Sequence, residues 1–211
     1  MIMKLKTNTK TDLIIAPHAD DDVLGCGGIL HENCHVLYAG VDEEGIPNRP
    51  SRDARYAEVE RVSESVGHSY QDAGLKVNRY ELNSCISIIE KTINDLKPER
   101  VFIPHPSYNQ DHVTVYKASM VALRPHDKNF FVNKVLVYEQ PHAFFWPTHG
   151  NDFKPNYYVP IDVERKVELY ELMESQVRDF RSPDHLRALA RIRGGQSNCK
   201  HAEAFNIVRW V

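Results

Sequence analysis

Short apolar runs alternate with longer amphipathic segments along this chain. Four runs have the length and the apolar, partly β-branched content of buried strands, and they cover residues 13–16, 36–41, 101–104 and 135–138. Strands that alternate with helices are typical of a parallel sheet with helices packed on its faces. The pattern therefore predicts an α/β fold with a mainly parallel sheet.

Helical periodicity is clearest in two segments between these runs. Apolar residues recur at intervals of three and four from Leu82 to Leu96, and Pro98 is expected to end this helix. Valines with similar spacing follow Arg52, and Gly67 is expected to be the C-cap of that helix. Each stripe predicts a helix with one buried face.

The last quarter of the chain predicts two further helices. Asp162 begins a long one, whose apolar stripe extends to Val177. Ser182 and Pro183 occupy the N-cap and the first helical position of the other, which Gly194 is expected to end.

We find no internal repeat, low-complexity tract or linker in the sequence. Residues 150–160 are rich in Asn, Pro and Tyr and are predicted to form a surface loop. A chain of 211 residues is long enough to bury one sizeable core and short for two domains. We therefore expect one domain over residues 1–211.

Composition and charge exclude several classes of function. The formal net charge is -3, whereas a protein that binds duplex nucleic acid needs a basic face to neutralise phosphates. No apolar run reaches the ~18 residues of a membrane span, and no apolar stretch follows the N-terminal lysines as a signal peptide requires. The four cysteines form no CxxC pair. We expect a cytoplasmic protein without a nucleic-acid partner, and the sequence leaves open whether it forms a homo-oligomer.

Polar side chains crowd the point where the first predicted strand ends. Residues 17–22 read Pro-His-Ala-Asp-Asp-Asp, and ligands of open α/β sheets bind at the carboxyl ends of the strands. Three adjacent aspartates repel one another unless a cation or hydrogen bonds compensate. Helix capping explains Asp22 but does not explain His18 beside three carboxylates, which favours a cation site.

A second polar cluster follows the third predicted strand. Residues 105–112 read His-Pro-Ser-Tyr-Asn-Gln-Asp-His, and they should reach the same edge of the sheet. A histidine from this cluster can join His18 and one aspartate in a site with open coordination positions. Zinc accepts such ligands and lowers the pKa of a bound water towards ~7, and a spare carboxylate can then take the water proton.

The two clusters resemble the paired motifs of the LmbE-like zinc N-deacetylases, the PIG-L family, which remove acetyl groups from N-acetylglucosamine compounds. Residues 17–22 are similar to the family's Pro-His-Pro-Asp-Asp-Glu motif. Residues 109–112 are similar to its second motif, His-Pro-Asp-His, which has an Asn-x-Asp-His variant in one subgroup. The resemblance covers nearly the whole chain, because it also includes Arg55, Glu58, residues 153–159, residues 202–205 and Arg209.

The resemblance implies a fold, a cofactor and a reaction. The fold would be a Rossmann-like three-layer sandwich with the active site at the carboxyl ends of the strands. His18, Asp21 and His112 would bind Zn²⁺, and Asp20 would be the general base. The protein would remove the acetyl group from a small N-acetylglucosamine-type amino sugar conjugate.

Two positions depart from the family pattern. Asp22 replaces the usual Glu, which keeps an acceptor behind the metal ligands but shortens its reach. Asn109 replaces a histidine that is thought to stabilise the oxyanion or protonate the leaving amine. An asparagine can donate a hydrogen bond but cannot deliver a proton at neutral pH. Either Asp20 shuttles the proton alone, with Asn109 holding the oxyanion, or His142 or His201 takes part.

The remaining candidates have supporting roles. Asp111 is expected to orient a metal-binding histidine. Arg49 and Arg55 are candidates for binding substrate hydroxyls or a phosphate, with ion pairing as the alternative. Cys26 is expected to be a small buried residue, and His105 is expected to pack at a strand end.

Two other functions stay open from the sequence. Two histidines and one carboxylate also bind iron in non-haem Fe(II) oxygenases, although their His-x-Asp sites typically lie on antiparallel jelly rolls. The replacements at Asp22 and Asn109 also permit a non-catalytic protein that binds metal and sugar. A serine hydrolase is poorly supported because the chain has no GxSxG motif.

Overall fold

Seven strands form one sheet in the structure, a computed structural model that describes residues 11–43, 45–47, 49–146 and 153–211. In chain order the strands are β1 (Asp12–Ala16), β2 (Cys34–Tyr38), β3 (Ser69–Asp72), β4 (Arg100–Pro104), β5 (Lys134–Tyr138), β6 (Tyr157–Pro160) and β7 (Ala202–Trp210). They lie in the order β3-β2-β1-β4-β5-β7-β6. The first five are parallel, and β7 is antiparallel to β5 and β6.

Helices cover both faces of this sheet. In chain order they are α1 (Asp21–Cys26), α2 (Arg52–Val66), α3 (Leu82–Leu96), α4 (Gln110–Ala122), α5 (Pro141–Phe145), α6 (Val163–Glu171) and α7 (Pro183–Gln196). Apolar residues of α1, α2, α6 and α7 belong to one core cluster, and those of α3 and α4 belong to the other. The predicted α/β sandwich with a mainly parallel sheet is confirmed.

Strand β1 shows how the sheet separates the two clusters. Leu13 and Ile15 face α3 and α4, whereas Ile14 and Ala16 face the opposite layer. All four side chains are buried, because helices cover both faces of a central parallel strand. A continuous apolar run is therefore the expected sequence of such a strand.

The predicted helix boundaries mostly agree with the structure. Gly67 adopts a left-handed conformation at the C-cap of α2, with φ of 82°. Lys97 ends α3 one residue before Pro98. The side chains of Asp162 and Ser182 accept backbone hydrogen bonds at the starts of α6 and α7, as predicted.

Three strands were not predicted. Strand β3 is short and polar, and it lies at an edge of the sheet where one side is exposed. Strand β6 occupies the end of the segment 150–160 that was predicted to be a loop, and residues 150–152 lie outside the described part of the chain. Strand β7 inserts between β5 and β6, so its pairing depends on partners that are distant in the sequence.

Two helix ends also differ from the prediction. The helix that begins after Asp162 ends at Glu171 and does not reach Val177, and a short 3₁₀ helix, Glu174–Gln176, follows it. The Tyr170 hydroxyl donates to the carbonyl of Gln176 at 2.6 Å, which holds this break in place. Helix α7 continues two residues beyond Gly194. A Cβ at Gly194 would lie 2.6 Å from the Lys200 carbonyl oxygen, so its small size serves close packing.

Close packing also explains Gly25 in α1. A Cβ at this position would lie 2.2 Å from the ring of Tyr138, a distance that real Cβ atoms do not adopt. Tyr138 is fully buried and donates a hydrogen bond to the carbonyl of Ile15 at 2.9 Å. The glycine therefore lets α1 lie directly against the sheet, beside the polar residues that follow β1.

The described helices contain no apolar stretch long enough to cross a lipid bilayer.

The buried His68 gives the fold an expected sensitivity to acid. Burial and the neighbouring His35 lower the pKa of His68 to about 4, and neither ring nitrogen has a hydrogen-bond partner among the described residues. In the unfolded chain this histidine binds a proton below pH ~6.5, whereas in the folded protein it stays neutral down to about pH 4. The stability of the fold therefore decreases as the pH falls through that interval. We expect this residue to remove up to ~3 kcal/mol of stability between pH 7 and pH 4.

Denaturant unfolding of wild type and His68→Leu at pH 7, 6, 5 and 4 measures this effect. The wild type should lose stability relative to the variant as the pH falls. His185→Gln controls for removal of an exposed imidazole. A difference between wild type and His68→Leu that is the same at all four pH values would contradict the prediction.

Candidate metal centre and active site

A cavity of about 410 Å³ lies at the edge of the sheet where the parallel strands end. Its wall contains residues that follow each of the five parallel strands, together with the segment between α6 and α7. Most of these residues are polar: His18, Asp20, Asp21, Glu43, Pro47, Arg49, Val77, Asn78, Tyr108, Asn109, His112, His142, Gln176, Arg178, Phe180 and Arg181. The two polar clusters of the sequence thus meet in one concave site.

The three predicted metal ligands converge in this cavity. One nitrogen each from His18 and His112 and one oxygen from Asp21 lie within 4.8 Å of one another. Asp21 Oδ2 is 3.3 Å from His18 Nδ1 and 3.3 Å from His112 Nε2. Two imidazole nitrogens and a carboxylate oxygen are a donor set that zinc accepts, so the residues fit a metal ion.

Local structure holds these three side chains in place. The backbone N–H of His18 donates to Asp21 Oδ2 at 2.9 Å, which closes the turn between β1 and α1. His112 lies in the first turn of α4 and is 2% exposed. The donors therefore project from a strand end and two helix starts, which are rigid supports.

The charges of this group are strongly coupled. Burial disfavours a charged carboxylate, but His112 and His18 hold the pKa of Asp21 well below its usual range. Burial would also lower the pKa of His18, but hydrogen bonds to Asp111 and Asp21 raise it to about 10. A metal ion must displace the proton from His18, because only the neutral imidazole binds metal.

Asp111 makes the contact that was expected of it. Its Oδ2 lies 2.9 Å from His18 Nε2, the ring nitrogen opposite the one that faces Asp21. The same oxygen accepts the backbone N–H of Asn78 at 2.7 Å. Asp111 is 1% exposed, so it fixes the orientation of the His18 ring from a buried position.

Asp20 has a different partner from its neighbour Asp21. Its carboxylate is buried and forms an ion pair with Arg181, with 2.9 Å between Asp20 Oδ2 and Arg181 Nη1. Burial opposes the charge of Arg181, but Asp20 raises its pKa overall. No sequence pattern marks Arg181 as a partner of Asp20, because the two residues lie 161 positions apart in the chain.

Asn109 combines a structural contact with a position in the cavity. It is the N-cap of α4, and its side-chain oxygen accepts the Asp111 backbone N–H at 2.8 Å. This bond fixes which end of the amide faces the helix and leaves the amide N–H groups as donors.

Of the two histidines considered as proton donors, His142 lines the cavity and His201 lies outside the described lining. The ring of His142 stands edge-on to His112, with 5.0 Å between the ring centroids. Burial and His112 lower the pKa of His142 to about 3, so this imidazole is neutral at ordinary pH.

Asp22 and Cys26 lie outside the described lining of the cavity. Asp22 is fully buried and accepts a hydrogen bond from the Tyr38 hydroxyl at 2.9 Å. Burial, together with Asp20 and Asp21, raises the pKa of Asp22 to about 7. Cys26 is buried as expected.

The structure places the two candidate arginines differently. Arg49 lines the cavity, but Arg55 lies outside the described lining residues and is only 1% exposed. The Arg55 guanidinium donates to the Ala19 carbonyl and to the Glu58 carboxylate. Arg55 therefore braces the turn after β1 from behind, which agrees with ion pairing, the alternative stated for this residue.

A second group of potential metal ligands lies at the opposite edge of the sheet. Asp12, His31 and Cys34 also bring three donor atoms within 4.8 Å of one another. However, both carboxylate oxygens of Asp12 accept hydrogen bonds from Arg100, and burial raises the pKa of the Cys34 thiol to about 12. A cation already satisfies Asp12, so the cavity group fits a metal ion better.

Sequence comparison identifies the family. Residues 13–123 match the family model described as PIG-L, GlcNAc-PI de-N-acetylase, which covers more than half of the chain. The chain belongs to the PIG-L family. A curated relative, the uncharacterized deacetylase YaiS of Escherichia coli (strain K12), is 28% identical over 163 residues, which are 69% of this chain and 83% of the relative.

This PIG-L protein has the same fold as solved structures of several other proteins. N,N'-diacetylchitobiose deacetylase from Pyrococcus horikoshii matches with a TM-score of 0.71 and 21% identity, covering 94% of this chain and 84% of that one. GalB, the 4-carboxy-2-hydroxymuconate hydratase from Pseudomonas putida KT2440, matches with a TM-score of 0.75 and 18% identity, covering 95% and 96%. The fold thus occurs with two chemistries, and the reaction has to be inferred from the side chains.

Metal content tests the cavity group directly. Elemental analysis of protein purified without added metal should find about one zinc ion per chain, and His112→Ala should lose most of it because one of three protein ligands is removed. His31→Ala, in the second group, is the matched control and should keep the metal. Loss of metal from His31→Ala with retention in His112→Ala would place the ion at the other edge of the sheet.

Proposed function

We propose that this PIG-L protein is a zinc-dependent N-deacetylase that hydrolyses the acetamide of a small N-acetylglucosamine-type conjugate. Membership of a deacetylase family supports an enzyme that cleaves amides. The observation that carries the proposal is the meeting of a three-donor group with a separate carboxylate, Asp20, in one cavity. Metal binding alone does not require that additional carboxylate.

The proposed cofactor is Zn²⁺ held by His18, Asp21 and His112. When bound there, zinc supplies a Lewis acid for the amide carbonyl and a lowered pKa for water. The chain's own contribution is to hold the donors at fixed positions: Asp111 orients the His18 ring, and the N–H of His18 orients Asp21. Because these side chains are already held in position, they need not reorganise during the reaction.

Asp20 is the proposed general base. It takes a proton from the attacking water as the water oxygen forms a bond to the carbonyl carbon of the acetamide. It then gives this proton to the nitrogen as the C–N bond breaks, so that acetate and a free amine leave. The ion pair with Arg181 uses Asp20 Oδ2 and leaves Oδ1 for this proton.

Asn109 is the proposed donor to the developing oxyanion. The capping bond to Asp111 N–H occupies its side-chain oxygen, so its N–H groups are the end available to a substrate in the cavity. A preorganised donor of this kind stabilises negative charge without taking a proton. This role accounts for an asparagine at a position where most of the family is thought to use histidine.

The cavity also suits a sugar conjugate. The aromatic rings of Tyr108 and Phe180 line it and are 53% and 50% exposed, so they offer faces on which a sugar ring can stack. Arg49 stands at the same wall as a proposed ligand of substrate hydroxyls or a phosphate. The neighbouring deacetylase that acts on N,N'-diacetylchitobiose supports an N-acetylated amino sugar as the substrate class.

Turnover of a substrate panel tests the reaction. Zinc-loaded protein should release acetate and a fluorescamine-reactive amine from one or more small N-acetylglucosaminyl conjugates, and chelation should abolish the release. Asp20→Asn should keep its zinc and lose ~10²–10⁴-fold in kcat, because the general base is removed.

Asp21→Asn is the matched control, since it changes the neighbouring carboxylate and should lose zinc instead. If Asp20→Asn loses zinc and Asp21→Asn keeps it, the roles of the two carboxylates are reversed. Zinc-loaded protein that releases no amine from any conjugate would favour a non-catalytic metal- and sugar-binding protein. An activity that requires Fe(II) and consumes oxygen would contradict the proposal of a hydrolase and indicate an oxygenase.

Three substitutions test Asn109. Asn109→Asp keeps the capping oxygen but removes the N–H donors, so we expect near-normal stability and a kcat lower by ~10²–10³-fold. Asn109→Ala should lose the cap as well, with ~0.5–2 kcal/mol less stability. Asn109→His should be tolerated and should shift the basic limb of the pH–rate profile, because it introduces a titrating group. Unchanged kcat in Asn109→Asp would exclude Asn109 from oxyanion stabilisation.

A further inference from the structure

Asp20 and Asp21 are adjacent in the chain and line the same cavity, yet only one of them lies among the metal donors. We propose that Arg181 is the positioning residue that keeps Asp20 away from the metal and thereby assigns the two carboxylates to different tasks. This inference rests on the proposed metal centre. It names a residue that the family motifs do not contain.

The contacts of the two carboxylates are complementary. Asp21 Oδ2 lies 3.3 Å from a nitrogen of each histidine, so this oxygen faces the metal position. Asp20 Oδ2 instead lies 2.9 Å from Arg181 Nη1. The Asp20 and Arg181 side chains are only 6% and 11% exposed, so water screens their attraction little.

Arg181 is itself held on several sides. It ends the 3₁₀ helix Asp179–Arg181, and its Nη2 donates to the side-chain oxygen of Gln176 at 3.2 Å. Gln176 is 2% exposed, and its backbone carbonyl accepts the Tyr170 hydroxyl. The ring of Phe180 lies 5.6 Å from the guanidinium carbon. These contacts fix where the positive charge stands.

The support continues back to the residue before Asp20. The Gln176 side chain donates to the Ser175 hydroxyl at 2.9 Å, and Ser175 donates to Glu58 through its N–H and its hydroxyl. Glu58 accepts from Arg55, which also donates to the Ala19 carbonyl. A closed circuit of hydrogen bonds therefore connects the backbone beside Asp20 with the cation that binds its side chain.

Removing Arg181 would leave a buried carboxylate without its partner beside a divalent cation. An uncompensated buried charge is strongly unfavourable, and a metal ion in the same cavity would offer Asp20 a new positive partner. Asp20 would become an additional ligand and occupy a coordination position that the reaction needs. A purely structural ion pair would instead lower stability and leave metal coordination unchanged.

Cobalt(II) is the probe that separates these two roles, because its visible absorption weakens as its coordination number rises. Cobalt-loaded Arg181→Met should absorb visible light more weakly than the wild type, and its absorption bands should be shifted. It should also bind cobalt more tightly than the wild type. The double variant Asp20→Asn/Arg181→Met should return to the wild-type spectrum, since the added ligand is gone. Arg178→Met, which removes the neighbouring cavity arginine, is the matched control and should keep the wild-type spectrum.

Kinetics provide an independent measurement on the same variants. Arg181→Met should lose ~10–100-fold in kcat with little change in KM, and Arg181→Lys, which restores a cation, should recover part of kcat and the wild-type cobalt spectrum. If Arg181→Met does not fold, Arg181→Lys and Gln176→Leu take its place in the test. Gln176→Leu removes a contact that holds the Arg181 guanidinium, so it should displace the cation and alter the cobalt spectrum. Arg181→Lys keeps a cation beside Asp20 and should leave the spectrum unchanged.

A wild-type cobalt spectrum in folded Arg181→Met, or a spectrum that Asp20→Asn fails to restore in the double variant, would overturn the proposal. Neither result needs a substrate, so both are independent of whether the protein is a deacetylase. Wild-type protein that binds no cobalt would remove the metal centre itself and, with it, both the proposed function and this inference.

Discussion

The parallel pairing of β1 with β4 is the contact on which the candidate site depends. Two strands and three helices separate these strands along the chain, yet they are neighbours in the sheet. Because they run in the same direction, the residues that follow Ala16 and Pro104 leave the sheet at one edge. At the other edge Asp12 and Arg100 are register partners and form a partly buried ion pair. This pair fixes the alignment, and a slip by one residue would reverse the faces of the strand and separate His18 from His112.

The site also depends on how buried acids are satisfied. Three of its carboxylates are paired in this way: Asp21 has the two histidines, Asp111 has His18 and the backbone of Asn78, and Asp20 has Arg181. Unpaired, these buried charges would be costly; paired, they form a connected network that restricts each side chain to one position. Such restriction is what a hydrolytic site requires, because its donors and its base must stand ready before the substrate arrives.

Much of the fold could be predicted because its signals are local. The apolar runs of β1, β4 and β5 and the caps of α2, α6 and α7 depend on residues within a few positions of one another. Strands β3 and β6 escaped prediction because they lie at sheet edges, where one side is exposed and the apolar pattern is weak. The early end of α6 also escaped, because a hydrogen bond from Tyr170 to the carbonyl of Gln176 overrides a continuous apolar stripe.

The sequence by itself determined which donors exist and how they are spaced. His18 and Asp21 are three residues apart after a predicted buried strand, and Asp111 and His112 are adjacent after another, so their chemistry follows from residue type and spacing alone. Only the tertiary structure decided the partner of each side chain. It buried Arg55 against the Ala19 carbonyl, and it brought Arg181 to Asp20 from 161 residues further along the chain. Such contacts leave no local pattern, because they arise from how the helices pack on the sheet and not from the residues beside them.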